Sequence, residues 1–409
     1  MKVKLFSAAV LTMFLPLAVL ATAQIRPVAG KVLVPDSSIE KPGDVGRVAH
    51  TNVQVFLPAE PLLREQTVGP PYMGYAYETP ASLACVYGLV SAIAGCNPNT
   101  AIALPTGGSK MIAIVDAYDA PNAASDLAKF SAQFGLPPAN FQVIFASGSR
   151  PQYNSGWEFE ESLDVQWAHA MAPGAKIILV EAASSSFTDL MTAEDVASKM
   201  VNAAGSGEVS NSWGGGEFSG ETTYDSHFVK TNVVFLASAG DNPGTSWPST
   251  SPNIVAAGGT TVRRSPSTGN YLSEVPWDAA GGGSSLVELR PSYQNGISPT
   301  VGKYRGVPDL SFDSNPVTGV WVYDTNAYGW NIVGGTSVAS PALAGIINLS
   351  GSFYTSTNAE LAAIYSKLGV AADFDDITSG YCGPYAGYTA GTGWDFCTGV
   401  GVNKGITGK

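Results

Sequence analysis

Short apolar runs and amphipathic segments alternate along most of the chain. The apolar runs are typical of fully buried strands, and between them the apolar residues recur at helical spacing. The predicted strands are residues 111–116, 141–145, 175–180, 208–213, 232–237 and 253–257, and the predicted helices are residues 124–134, 157–171, 187–204 and 359–368. This order predicts an α/β fold, a doubly wound, mostly parallel sheet with helices on both faces. Ligands of such sheets bind at the carboxyl ends of the strands.

The first residues have the pattern of a secretory signal peptide. Lys2 and Lys4 precede an apolar run that ends at Leu20, and small residues follow up to Ala23. This order predicts a signal peptide over residues 1–23, cleaved after its last residue. A membrane anchor is the alternative, which the small residues of the cleavage pattern disfavour.

Two further stretches depart from the alternation of strands and helices. Residues 24–65 are polar and extended apart from a strand-like run at 52–57, and they are interpreted as an N-terminal arm or short propeptide. Residues 262–300 are rich in Gly, Ser and Pro, a composition that predicts long surface loops. The main domain is therefore expected to cover residues 66–409.

Composition excludes some partners. The formal net charge is −12, so a nucleic acid is not expected as a partner. Charged residues make up only 13% of the chain, which suits acidic surroundings because few ion pairs are lost when carboxylates take up protons. Beyond the signal peptide, no run is long and apolar enough to span a bilayer.

The four cysteines form two close pairs in the sequence. In an exported protein they predict two local disulfides, Cys85–Cys96 and Cys382–Cys397. Free buried thiols are the alternative. The spacing fits no zinc site.

A candidate nucleophile stands in the segment Gly-Gly-Thr-Ser-Val-Ala-Ser-Pro. Gly334 and Gly335 allow a sharp turn, and the apolar run 343–349 predicts a buried helix. Ser337 is therefore expected at a helix N-terminus, where free N–H groups favour developing negative charge. Pro341 is expected in the first turn, where a missing N–H costs little. A Ser that merely caps a core helix is the alternative.

The proton of Ser337 needs an acceptor, and one helix carries two suited carboxylates. Glu160 and Asp164 are four residues apart, so their side chains share a helix face. Apolar residues around them indicate burial, and two close buried carboxylates are expected to share a proton. Glu158 and Glu161 instead fit an exposed acidic face.

A histidine base is the alternative. It would give a triad of Asp116, His169 and Ser337, as in ordinary subtilases. However, Ala170 and not Gly-Thr follows His169. The carboxylate pair is therefore the preferred interpretation.

Glu-x-x-x-Asp upstream of Gly-Thr-Ser-x-x-x-Pro resembles the sedolisins, the serine-carboxyl peptidases. The resemblance runs from about Tyr77 to the end of the chain and implies a subtilisin-like fold. It implies that Glu160 acts as general base and acid for Ser337 and that Asp164 orients Glu160.

The resemblance also assigns an oxyanion donor. Asp241 follows the strand at 232–237, where the family carries an Asp. A neutral carboxylic acid can donate a hydrogen bond to an oxyanion, which a carboxylate cannot. The backbone N–H of Ser337 is expected to be the second donor. The protonated acid implies activity at acid pH, and a turn-forming Asp is the alternative.

A strand that ends in glycines is the candidate substrate-binding segment. The resemblance suggests that its edge pairs with the substrate backbone. The residues are Ser210, Asn211, Ser212, Trp213 and Gly214. A plain strand and turn is the alternative.

The C-terminal region contains a candidate calcium loop. Two carboxylates joined by Gly-rich segments suit a hard cation, and the family has a calcium site here. Matching residue by residue assigns the side chains of Asp376 and Asp395 and the carbonyls of Ile377, Gly391 and Gly393 as ligands. An Asp-rich turn without metal is the alternative.

Together these features predict a secreted, acid-acting endopeptidase that cleaves proteins or peptides through an acyl-enzyme on Ser337. A monomer is expected, free of the membrane after signal cleavage. Family members usually carry a large prodomain, for which residues 24–65 are too few. A tripeptidyl-peptidase of the same family is one alternative, and a non-catalytic exported binding protein is another.

Overall fold

The computed structural model describes residues 29–59, 69–383 and 387–409. The predicted signal peptide lies outside these residues. The strands are β1 Gly30–Leu33, β2 His50–Thr51, β3 Gln54–Pro58, β4 Met111–Ala117, β5 Asn140–Phe145, β6 Lys176–Ala182, β7 Gly207–Asn211, β8 Trp213–Gly216, β9 Val233–Ser238, β10 Ser246–Trp247, β11 Val255–Arg264, β12 Tyr271–Pro276, β13 Gly283–Leu289, β14 Tyr304–Val307, β15 Leu310–Asp313, β16 Val320–Asp324, β17 Gly329–Gly334, β18 Phe374–Asp375, β19 Tyr381–Cys382, β20 Tyr388–Thr389 and β21 Val402–Asn403. The helices are α1 Pro80–Val86, α2 Ala123–Phe134, α3 Ser155–Met171, α4 Phe187–Ala203, α5 Ser298–Val301, α6 Thr336–Leu349 and α7 Thr357–Ser366.

A ten-stranded sheet forms the centre of the fold, in the order β18-β21-β15-β11-β9-β7-β4-β6-β5, with β12 on β11. All neighbours from β21 to β5 are parallel, and β18 and β12 are antiparallel additions. The strands β4, β7 and β9 lie side by side, so their carboxyl ends meet at one edge. The prediction of a mostly parallel sheet is confirmed.

Helices cover both faces of this sheet. Successive residues of β4 point to opposite sides, so Ile112 and Ile114 join one core and Met111 and Ala113 the other. The first core contains the apolar residues of α2, α3 and α6, and the second contains those of α4. This arrangement explains why β4 is apolar at every position except Asp116.

Two predictions about strands were wrong in detail. Residues 262–300 are not loops throughout, because β11 continues to Arg264, β12 pairs with it, and β13 pairs with β14. Cross-strand pairing, which local composition does not reveal, overrides the loop signal there. The predicted strand at 208–213 is two strands, β7 and β8, with Ser212 between them.

The described part of the N-terminal arm, residues 29–59, packs onto the main domain. β3 pairs antiparallel with β17 on one side and with β1 on the other, while β2 pairs with β8. Val53 and Phe56 are buried in two core clusters. The arm is therefore part of the packed structure next to α6.

Both predicted disulfides are confirmed. The Cα atoms of Cys85 and Cys96 lie 5.3 Å apart, and those of Cys382 and Cys397 lie 5.5 Å apart. None of the helices in the described ranges combines the length and the apolar character needed to cross a bilayer.

Candidate active site

Ser337 is the second residue of α6 and is completely buried. Its hydroxyl donates a hydrogen bond to the carbonyl of Ser212 at 3.2 Å. Gly335 precedes the helix with φ at 108°, and a Cβ there would lie 2.6 Å from Asp241 Oδ2. Only glycine therefore fits at the turn that presents Ser337.

Pro341 was predicted to lie in the first turn of the nucleophile helix. It lies inside α6 instead. A proline at this position removes the N–H that would bond to the carbonyl four residues earlier, which is that of Ser337. Ser212 Oγ donates to this freed carbonyl at 3.3 Å. The proline thus leaves an acceptor that ties the nucleophile helix to the end of β7.

The carboxyl groups of Glu160 and Asp164 lie on α3, one turn apart and fully buried. Burial, then the charges of Asp164 and Asp116, raise the pKa of Glu160 well above its ordinary value, while the Ser337 hydroxyl opposes the shift. Burial also raises the pKa of Asp164, while the neighbouring Ser212 hydroxyl and Glu160 carboxyl act in the opposite direction. α3 packs against α6, and this contact brings the pair to Ser337. Two such carboxyls favour sharing one proton.

More carboxyl groups than the sequence analysis expected are buried on α3. Glu158 and Glu161 were predicted to be exposed, which was wrong, because they are 1% and 0% exposed. Burial and the charges of Asp116 and Glu181 raise the pKa of Glu161 well above its ordinary value. Burial and the charge of Asp324 raise the pKa of Glu158 to about 8. The carboxyl ends of β4 and β6 lie beside Glu161, and the turn after β16 and α2 lie beside Glu158, so neither side chain is solvated.

Asp241 stands three residues beyond β9 and faces the N-terminus of α6. Its Oδ1 accepts from the backbone N–H of Thr336 at 2.7 Å and from the Thr336 hydroxyl at 2.9 Å. Burial raises the pKa of Asp241 to about 7, although these bonds act in the opposite direction. Within the described residues Oδ2 has no hydrogen-bond partner. A protonated Oδ2 can therefore donate a hydrogen bond.

The backbone N–H of Ser337, the second predicted oxyanion donor, is already engaged. It donates to the carbonyl of Asn52 at 3.1 Å. The Asn52 N–H in turn donates to the carbonyl of Ser212 at 3.2 Å. The arm therefore enters the site at the nucleophile.

The predicted substrate strand has two parts, one enclosed in the core and one in contact with Ser337 and the arm. Ser210 bonds to Ser340, and the Asn211 amide bonds to the Leu236 carbonyl, so both side chains are engaged within the core. Ser210 also lies in β7 where β4 and β9 pair with both edges. Its backbone edge is thus closed to a substrate.

Ser212 bonds to Ser337, and Trp213 and Gly214 begin β8. Trp213 and Gly214 pair antiparallel with Thr51 and His50 of β2. The Trp213 indole donates to the Val115 carbonyl at 2.9 Å, which fixes β8 against the central sheet. The strand edge that was predicted to pair with a substrate backbone pairs here with the backbone of the arm.

The family model and the solved structure to which this chain is similar agree with a peptidase site of this kind. A model of the subtilase family matches residues 151–367, more than half of the chain. The solved structure of Pseudomonas sedolisin, a serine-carboxyl proteinase complexed with two molecules of pseudo-iodotyrostatin, is similar at 27% identity with a TM-score of 0.68. That similarity covers 80% of this chain and 96% of the other. The chain belongs to the subtilase family, in its sedolisin branch. The subtilisin-like fold is confirmed.

Curated relatives agree with this family. Sedolisin of Pseudomonas sp. (strain 101) is 29% identical over 73% of this chain and 57% of its own length. Kumamolisin of Bacillus sp. (strain MN-32) is 28% identical over 73% of this chain and 59% of its own. Tripeptidyl-peptidase sed4 of Aspergillus fumigatus is 28% identical over 68% of this chain and 58% of its own. The chain thus spans less than three fifths of the length of these sedolisin relatives.

The histidine alternative does not fit the geometry of α3. His169 follows Glu160 by nine residues, which places it on the opposite side of α3 and about 13 Å further along. Its Nε2 bonds with the Pro137 carbonyl at 2.9 Å, and burial lowers its pKa. Asp116 lies next to the carboxyl pair, where it raises the pKa of Glu160.

The predicted calcium loop brings its two carboxylates onto the same glycine-rich turn. Asp376 Oδ2 accepts from the Gly393 N–H at 2.8 Å, and Asp395 Oδ2 accepts from the Gly391 N–H at 3.0 Å. Asp376 Oδ1 is buried and has no partner among the described residues. Ile377 follows Asp376 and is buried. Asp376 Oδ1 is thus a bare carboxylate oxygen, a ligand that fits a hard cation.

The sequence did not predict a second cluster of acidic residues. Oxygen atoms of Asp126, Glu158 and Asp324 lie within 4.8 Å of one another. The backbone N–H of Thr325 and that of Ala327 donate to the two Asp side chains, at 2.8 and 2.6 Å. This group holds the turn after β16 against α2 and α3.

Three residues of the site were also missed. Thr336 stood in the quoted motif, but its two bonds to Asp241 were not foreseen. Asn52 and Ser238, whose side chains bond at 2.6 Å, lie 186 positions apart and carry no sequence signal.

Proposed function

We propose that this chain is an exported serine-carboxyl endopeptidase that cleaves proteins or peptides at acid pH. One observation carries the proposal. The hydroxyl of Ser337, the Glu160–Asp164 pair and the bare Oδ2 of Asp241 meet in one buried cluster at the carboxyl ends of β4, β7 and β9. Nucleophile, base and oxyanion donor are the three groups that acyl transfer requires.

In the proposed reaction, Ser337 Oγ attacks the carbonyl carbon of a bound peptide while Glu160 takes its proton. Asp164 orients Glu160 through the shared proton. The oxyanion accepts hydrogen bonds from the Ser337 N–H and from protonated Asp241. Glu160 then protonates the leaving amine and afterwards activates the water that hydrolyses the ester on Ser337.

The proposed acid optimum follows from two opposing requirements. The Glu160–Asp164 pair must have lost one proton to act as a base. Asp241 must keep its proton to donate, and burial raises its pKa to about 7. The active window therefore lies below the ionisation of Asp241.

An endopeptidase is favoured over a tripeptidyl-peptidase by the length of backbone that pairs upstream of Asn52. A tripeptidyl-peptidase needs a barrier beyond the third residue before the scissile bond. Here backbone contacts continue beyond the three residues that end at Asn52, because the Ala49 N–H donates to the Ser185 carbonyl and Val48 pairs with Ser186. The relationship to tripeptidyl-peptidase sed4 keeps exopeptidase activity as the second candidate.

We further propose calcium in the C-terminal loop. Asp376 and Asp395 would supply carboxylate oxygens, and Ile377, Gly391 and Gly393 would supply carbonyls. A bound calcium ion would neutralise the two carboxylates and hold the loop, which the Cys382–Cys397 disulfide also ties. These residues are remote from Ser337 in sequence and contribute stability in this proposal, not chemistry.

We also propose that the protein is exported and that its chain has three parts. Residues 1–23 act as signal peptide, residues 24–65 as arm or propeptide, and residues 66–409 as a monomeric peptidase domain. The two disulfides support an oxidising compartment.

The test is digestion of an unfolded, reduced and alkylated protein from about pH 3 to pH 8, with peptides mapped by mass spectrometry. The Ser337→Ala variant, checked for an unchanged melting curve, is the matched control. Internal cleavages at acid pH that the variant lacks are expected. Release of N-terminal tripeptides alone would contradict the endopeptidase, and no cleavage by the wild type would favour a binding protein.

A further inference from the structure

The acidic cluster of Asp126, Glu158 and Asp324 joins three elements of the fold. Asp126 lies on α2, Glu158 lies in the first turn of α3, and Asp324 ends β16. One carboxylate oxygen of each side chain lies within 4.8 Å of the other two. Glu158 is the most exposed of the three residues, at only 1%. Three carboxyl groups are thus held close together and away from bulk water.

The carboxylates of this cluster lack a positive partner among the described residues. In the part of the chain that the structure describes, no ion pair includes any of them. Lys129 follows Asp126 on α2 by three residues, but it donates to the Tyr323 hydroxyl at 2.9 Å. Close carboxylates repel one another unless a proton or a cation lies between them. The cluster therefore needs a positive charge that the described side chains do not supply.

Two buried oxygen atoms at the cluster have no hydrogen-bond partner among the described residues. One is Asp324 Oδ2, whereas Oδ1 of the same side chain accepts from the Ala327 N–H at 2.6 Å. The other is the hydroxyl of Ser162, which lies one turn after Glu158 on α3 and is 0% exposed. Burial raises the pKa of Asp324, and the Ala327 N–H and the nearby Ser162 hydroxyl oppose this shift. A hydroxyl and a carboxylate oxygen are therefore available to a ligand in the cluster.

The spacing and the surroundings of the cluster suit a calcium ion. Calcium binds oxygen ligands at about 2.3–2.6 Å, so one ion can bridge oxygens up to about 4.6–5.2 Å apart. Carboxylate and hydroxyl oxygens are ligands of hard cations, whereas softer metals prefer nitrogen and sulfur. Glu158 and Asp324 line a half-open cavity of about 860 Å³, which gives an ion a path from solvent.

We propose that the acidic cluster and the Ser162 hydroxyl bind one calcium ion, at a site separate from the C-terminal loop. The three carboxylates supply negative charge, the hydroxyl supplies a fourth oxygen, and water from the cavity completes the coordination. The ion cross-links α2, α3 and the turn after β16. It stabilises the helix that carries Glu160 and takes no part in peptide cleavage, so the proposal does not depend on the proposed peptidase function.

The test measures calcium binding by isothermal titration calorimetry near neutral pH. The protein is stripped of metal and carries Ser337→Ala, which prevents self-digestion, together with Asp376→Asn and Asp395→Asn, which remove the ligands of the proposed loop site. This background is expected to bind one calcium ion per chain. Saturating calcium should raise its Tm, because the ion binds only the folded state. A background that binds no calcium would overturn the proposal.

Glu158→Gln and Glu161→Gln are a matched pair of variants in this background. Both residues are buried on α3, but only Glu158 belongs to the cluster. Loss of an outer-shell partner of a metal typically costs about 10–100-fold in affinity, so loss of a direct ligand in Glu158→Gln should cost at least as much. Glu161→Gln should bind calcium as the background does. Equal affinities of the two variants would overturn Glu158 as a ligand.

A shared proton is the competing explanation of the cluster, and Asp324→Asn separates it from a bound ion. The amide of this variant can donate to a neighbouring carboxylate, so it replaces the proton while it removes a calcium ligand. If calcium binds here, saturating calcium should raise the Tm of the background and leave that of Asp324→Asn unchanged. If calcium changes neither Tm, a proton alone holds the cluster together and the proposal is overturned.

Discussion

Replacement of Asp241 by Asn changes one atom at the proposed oxyanion site and removes its titration. Oδ1 of either side chain can accept from Thr336, while the Asn amide donates at every pH and the Asp acid only when protonated. The pKa of Asp241 rises from 3.8 to about 7 on folding. Three pKa units correspond to about 4 kcal/mol between the two protonation states.

The sign of the effect on stability follows from proton uptake. Between about pH 4 and pH 7 the unfolded chain has lost the Asp241 proton that the folded chain keeps, so the free energy of unfolding falls as pH rises. Below pH 4 both states are protonated and the effect vanishes. Other buried carboxyls with raised pKa, including Glu160 and Glu161, act in the same direction, so the whole protein is expected to be most stable in acid.

The assay is urea unfolding at about pH 4 and pH 7, followed by tryptophan fluorescence in a Ser337→Ala background that cannot digest itself. The Asp241 protein should lose about 3 kcal/mol more stability between these pH values than the Asp241→Asn protein. Equal losses would refute a neutral buried Asp241.

Activity provides the second arm, with Ser337 restored. Above about pH 7 the wild type should lose about 10²–10³ in kcat/KM as the donor ionises. The Asp241→Asn enzyme should lose less over the same range. An identical alkaline limb in both would show that Asp241 is not the oxyanion acid.

Three further expectations follow from the site. Glu160→Gln should lower kcat about 10²–10⁴-fold, whereas Glu161→Gln, an equally buried neighbour, should leave kcat within a few-fold of the wild type; equal losses would contradict Glu160 as the base. His169→Ala should keep activity in protein that remains folded, and complete inactivation there would restore the histidine triad. Excess chelator should lower the Tm of metal-loaded protein by removing a ligand bound only to the folded state, worth about 2.7 kcal/mol at 100 times Kd. Asp376→Asn combined with Asp395→Asn should remove the part of that response that belongs to the loop, and a Tm that chelator leaves unchanged would argue against the ion.

The parts of the site that the sequence predicted are those fixed by short-range geometry. Glu160 and Asp164 share a face because a helix repeats every 3.6 residues, wherever that helix lies. Ser337 sits at a helix N-terminus because glycines precede an apolar run. The disulfides and the alternation of strands with helices are local in the same sense, since each depends on residues close together in the chain.

Only the tertiary structure decided which polar groups are buried and which distant segments meet. The local sequence around Glu161 predicts an exposed side chain, yet α3 packs on the central sheet and the ends of β4 and β6 exclude water from it. β12 forms because β11 offers an edge, which the Gly, Ser and Pro around β12 do not reveal. Asn52 reaches Ser337 across 285 positions because β3 pairs with β17, and no local pattern encodes a contact between segments so far apart.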